Sequence, residues 1–191
     1  MRIIVAGIAG GVVLFMWGAF SHMVLPIGDI GMKTLPNEDP VMAAMKANIP
    51  EPGLYFYPGM PGGHSANEAE QAAWEAKYKS GPHGILVHHP SGTDPMPPSM
   101  LITELVSNIL AAIAVALVVS WLICYFWGRV AAAGLFGLVS WLSVDASYWN
   151  WFGFPTDYFL AQAADQVVGW LLAGLVIAWL IKGSDGASEH V

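Results

Sequence analysis

The chain has 191 residues, a formal charge of −7 and a single cysteine, Cys124. An acidic balance with no basic patch argues against a nucleic-acid partner, and a lone cysteine excludes an intrachain disulfide. Hydrophobic residues make up 55% of the chain and charged residues 11%, with a mean hydropathy of +0.54, which places it among membrane proteins.

The first element in chain order is an apolar run over residues 3–23, preceded by Arg2. Arg2 and the small residues of Ala19-Phe20-Ser21 also suit a secretory signal. The run is long for a signal's apolar core, however, and reads as a retained anchor. Within it Gly7 and Gly11 form a small-xxx-small pair, a spacing that lets two helix backbones approach closely.

Residues 24–100 hold twelve of the thirteen prolines, which predicts a stiff, mostly irregular segment. Glu38-Asp39-Pro40 ahead of Val41 to Asn48 predicts a short helix with acids and proline in its first turn. Ser65 and Glu68 make a capping-box pattern for a second helix over roughly 66–79, supported by Glu75 and Lys79 at i, i+4 and stopped by Gly81-Pro82. Leu54 to Tyr57 and Gly84 to Val87 are rich in aromatic or β-branched residues and predict a two-stranded ribbon. Such a ribbon is marginal alone, so the segment should rest on the membrane helices or on a partner. Trp74 and Tyr78, one turn apart, are the expected contact, against the alternative that they sit at the lipid headgroups. His64, His83, His88 and His89 also fall here, without the short repeated spacing of a zinc or copper site, so no metal is predicted.

Three further apolar runs cover residues 101–127, 130–148 and 158–181. At a rise of about 1.5 Å per residue, each is about the length a helix needs to cross roughly 30 Å of hydrocarbon. None shows the period-two alternation of a membrane barrel, so the fold class is an all-α integral membrane protein with four transmembrane helices in a bundle. Ala131 to Gly134, and Gly169 with Ala173, supply close-approach faces on the last two. Arg129 is expected in a tight joint between the second and third runs, and Lys182 closes the fourth. With Arg2 they place both termini on the cytoplasmic side and residues 24–100 in the periplasm. The organisation is therefore an anchor over 1–23, an external segment over 24–100, and a three-helix region over 101–191 with a short acidic tail carrying Asp185 and Glu189.

Polar groups inside the runs are costly in hydrocarbon and mark either helix contacts or a site. Glu104, Asn108, Asp145, Gln162, Asp165 and Gln166 fall in this class, and His22 ends the first run near the same depth. Glu104 and Asn108 share a face at i, i+4, as do Gln162 and Gln166, so an intramembrane polar layer in the outer leaflet follows if these faces turn inward. Its functional reading is a cation or proton site; its plainer reading is interhelical hydrogen bonding.

Aromatic residues concentrate at the joint before the last run, in Tyr148-Trp149-Asn150-Trp151-Phe152-Gly153-Phe154-Pro155. Interface belts account for part of this, and the density suits a docking surface for protein, pigment or lipid. Trp149, Trp151, Phe152 and Phe154 are the expected contacts, with Pro155 and Thr156-Asp157 capping the final helix. The chain has no Cys-x-x-Cys-His, no phosphate-binding glycine loop and no His-Glu-x-x-His, so neither catalysis nor a cofactor is predicted.

The leading expectation is an accessory subunit of a larger bacterial inner-membrane complex, respiratory or photosynthetic, with other membrane subunits as partners. A small cation or proton carrier built on the carboxylate layer is the alternative, and a membrane metal- or haem-binding protein using His22 or the loop histidines ranks third.

Overall fold

The computed structural model describes residues 1–122 and 125–181, the side chain of His64 apart. Cys124, Lys182, Asp185 and Glu189, on which expectations were placed, lie outside the described residues, as does the side chain of His64. The described chain is mostly helical, and four of its helices are long and apolar enough to cross a membrane. Contacts divide it into two compact units, one of residues 33–94 and the other of the remainder.

In the helical unit, α1 (Arg2–Met23), α4 (Pro98–Ser120) and α7 (Thr156–Leu180) are continuous, while the third span is built of α5 (Phe126–Ser140), a π-helical turn (Trp141–Asp145) and α6 (Ala146–Phe152). Helix α1 packs against both α4 and α7, α7 also packs against α5, and α4 meets α5 only lightly. The interfaces are made by small residues: Ala6, Ala112, Ala116, Ala133 and Ala173 are fully buried, with Val119 and Ile177 the large side chains among them. Close approach without bulk is how apolar helices gain dispersion contacts where lipid removes the hydrophobic incentive. A Cβ on Gly7 would lie 2.5 Å from Ile113 Cα and one on Gly11 2.4 Å from Ile109 Cα, so this pair does set the α1–α4 approach.

Two boundaries differ from the hydropathy reading. Arg129 lies inside the first turns of α5, not in a joint, because α4 ends at Ser120 and α5 begins at Phe126. The third span runs to Phe152, so Tyr148, Trp149 and Trp151 are helical and only Gly153, Phe154 and Pro155 form the joint. Gly153 there adopts φ +70, and Phe154 N–H donates to Tyr148 O at 3.4 Å. This is the left-handed closure glycine permits at a helix end. Pro155 then serves as N-cap of α7.

The second unit holds α2 (Glu38–Asn48), β1 (Gly53–Tyr57), a 3₁₀ turn (Gly63–Ser65), α3 (Glu68–Ser80) and β2 (Gly84–His88). The strands pair antiparallel with Tyr55 opposite Leu86, the ribbon expected from sequence. Helix α3 is capped by Asn67 and Glu70, whose side chains each accept the other's backbone N–H at 3.0 and 2.9 Å. The Ser65–Glu68 box is not used, since Ser65 is taken into the 3₁₀ turn by its N–H to Gly62 O. The Glu75–Lys79 pair forms at 3.0 Å.

Candidate functional site

Near the C-terminal end of α1 and the N-terminal half of α4, a crevice of about 610 Å³ is lined by α1, α4, α7, Met96 ahead of α4 and one residue of α5. Polar-layer residues that reach it include His22, Glu104, Asn108 and Asp165. Gln166, one residue further on α7, also lines it, whereas Gln162 and Asp145 do not. Asp145 ends the π-helical turn and is half-buried elsewhere on the third span.

Each wall follows from local structure. Ser21 is fully buried and its hydroxyl donates to Gly18 O at 3.2 Å. His22 Nδ1 lies 2.9 Å from that hydroxyl oxygen and 3.1 Å from Gly18 O. A carbonyl only accepts, so the contact with Gly18 O places a hydrogen on Nδ1. The turn after α1 closes over this ring, where a Cβ on Gly28 would fall 2.5 Å from His22 Cδ2. On α4, Asn108 Nδ2 donates to Glu104 Oε1 at 3.0 Å, which holds the carboxylate along the helix surface.

On α7, the Asp165 carbonyl accepts the Trp17 indole N–H at 3.0 Å, tying α1 to α7. Gly169 makes room for that indole, because a Cβ there would lie 2.9 Å from Trp17 Cδ1. Asp165 Oδ1 is buried and has no hydrogen-bond partner. A buried carboxylate oxygen without a donor is costly, and Asp165 is also one of the residues that line the crevice. Sequence reasoning did not foresee Trp17, Trp170 or Ser107 in this wall; Gly169, four residues after Asp165, was the local sign that something large packs there.

The aromatic end of the third span packs largely on itself. Trp141 and Trp149 both stack on Phe159, at 4.5 and 5.2 Å between ring centres, and Tyr148 stacks on Phe154 at 5.4 Å. The Trp141 indole donates to Phe159 O at 2.8 Å and that of Trp149 to Thr156 Oγ1 at 3.1 Å. Trp151 takes no part and stands 75% exposed, with Phe152 also exposed.

In the second unit Trp74 and Tyr78 hold α3 to the ribbon. The Trp74 indole donates to Pro58 O at 2.8 Å, and Tyr78 stacks against both His83, at 4.3 Å, and Phe56, at 6.3 Å. His88 is 8% exposed, and its Nε2 donates to Ile49 O at 3.0 Å. No group of three or more His, Cys, Asp or Glu side chains among the described residues is placed to hold a metal ion.

At the other end of the helical unit, Arg129 is 7% exposed and its buried Nε has no partner. Among the described residues the Lys79–Glu75 pair is the ion pair formed. No protein-family model, curated protein or solved structure matches this chain.

Proposed function

We propose that the chain is a multi-pass accessory subunit of a bacterial inner-membrane assembly, respiratory or photosynthetic in type. In this reading the four spans form one bundle with both termini cytoplasmic and residues 24–100 in the periplasm. The observation that carries it is the aromatic end of the third span. Trp141, Trp149, Tyr148 and Phe154 are fixed by stacking and indole hydrogen bonds, while Trp151 projects from that rigid base almost uncovered. Trp149, held in place and still 41% exposed, would lose little conformational entropy on docking, and large aromatic side chains such as Trp151 dominate interface energetics.

The test is mild-detergent extraction from native membranes, native gel separation and mass spectrometry of what comigrates. Trp149→Ala combined with Trp151→Ala should release the chain from its partner; unchanged comigration of the double variant would remove the proposal.

The crevice favours a second reading, a cation site used for binding or passage. His22, Glu104 and Asp165 share one cavity, with the Asp165 Oδ1 atom left unsatisfied. Glu104→Gln should then abolish sodium or proton flux in proteoliposomes while leaving assembly intact. Wild-type vesicles without flux would end the transport reading.

A further inference from the structure

The crevice combines features that narrow its ligand further. It is lined by two carboxylates and an imidazole, Glu104, Asp165 and His22, and by no lysine or arginine. Glu104 Oε1 is already engaged by Asn108, and Asp165 Oδ1 is buried with no donor. An uncompensated carboxylate in an apolar surround calls for a cation or a strong donor.

A bare metal ion fits poorly, because these three side chains are not grouped closely enough to coordinate one centre. A cavity of about 610 Å³ is also far larger than an ion and its first ligands need; it falls in the range of about 300–1,000 Å³ that holds organic molecules. The remaining wall includes Phe15, Trp17 and Trp170. Aromatic faces attract organic cations through the ring quadrupole and cover their apolar bodies at the same time.

We propose that this crevice binds an organic ammonium ion, a primary or substituted amine carrying an apolar or aromatic body. The amine would sit between Asp165 and Glu104 with its body against Trp17 and Trp170. The proposal rests on reading the crevice as a cation site and adds the chemical class of the cation. It does not require that the cation be carried across.

The probe is phenethylammonium, measured by equilibrium dialysis against the full chain in phosphatidylcholine nanodiscs, with 2-phenylethanol as its neutral counterpart. Saturable binding at one site per chain is expected, with at least tenfold weaker binding of 2-phenylethanol. Asp165→Asn and Glu104→Gln should each weaken phenethylammonium at least tenfold, whereas Asp145→Asn, on the third span and outside the crevice, should leave it unchanged. Both crevice variants keep side-chain volume, and the Trp17 bond to residue 165 uses a main-chain carbonyl that Asp165→Asn retains.

Equal affinity for the alcohol, undiminished binding in both crevice variants, or no saturable binding would overturn the proposal. Sodium flux without amine binding would likewise overturn it while leaving the cation reading in place. Amine binding without flux would uphold it and remove only transport.

Discussion

Gly11→Ala tests whether glycine spacing sets the α1–α4 contact. The added Cβ would lie 2.4 Å from Ile109 Cα and 2.6 Å from Ile109 N. Both are main-chain atoms, so no side-chain rotation relieves the clash. Ordinary carbon contacts lie at about 3.5–4.0 Å, so the two helices must part by roughly 1 Å at this level. Overpacking of this kind costs about 1–3 kcal/mol. We expect about 2 kcal/mol, near a thirtyfold change in the folded-to-unfolded ratio. The assay is reversible unfolding in mixed micelles of increasing dodecyl sulfate content, followed by circular dichroism. Gly18→Ala is the control on the same helix, since a Cβ there meets nothing within 4 Å. A Gly11→Ala variant within 0.5 kcal/mol of the wild type, a margin like that of ordinary surface substitutions, would refute the reasoning. So would a Gly18→Ala variant that loses as much.

Trp17→Phe keeps most of the ring but removes the indole N–H that meets the Asp165 carbonyl at 3.0 Å; a loss of about 1 kcal/mol is expected in the same unfolding assay. Asn67→Ala breaks the reciprocal cap of α3 and should cost that helix about 1 kcal/mol, read as faster amide exchange at Glu70 and Gln71. Lys79 hydrogen-bonds and attracts the Glu75 carboxylate, holding its pKa below the ordinary value. Because the folded-state pKa is the lower one, the pair's contribution is complete above the ordinary glutamate range and fades as pH falls through the depressed value. Lys79→Met should return the Glu75 titration toward its ordinary position, as followed by carboxyl carbon NMR.

Hydropathy located the four long helices because each needs a run of apolar residues that composition displays directly. It misplaced the α4–α5 joint for the same reason. Trp121, Leu122 and Tyr125 are apolar or aromatic like the spans they separate, so the charge at Arg129 reads as the break although it is a helical residue. In the second unit, Ser65–Glu68 and Asn67–Glu70 are both sound capping patterns, and only the 3₁₀ turn at Gly63–Ser65 decides between them. At the crevice, spacing identified Glu104 with Asn108 as one face, and their bond forms at 3.0 Å. Spacing carries no information on how α1, α4 and α7 are rotated about their axes. Asp145 and Gln162 could therefore not be separated from Asp165 by counting residues from the helix ends.

The π-helical turn at Trp141–Asp145 makes the third span sensitive to length rather than to chemistry. Such a turn accommodates one residue more than a regular helix would, and one residue corresponds to about 100° of rotation. Deleting a single residue between 141 and 145 would leave composition and hydropathy almost unchanged and restore a regular helix. It would also swing Trp149 and Trp151 about a quarter-turn away from Phe159 and from whatever Trp151 faces. Related chains would then tolerate many exchanges among the aromatic residues of this span, yet few changes in the number of residues between Ser140 and Ala146.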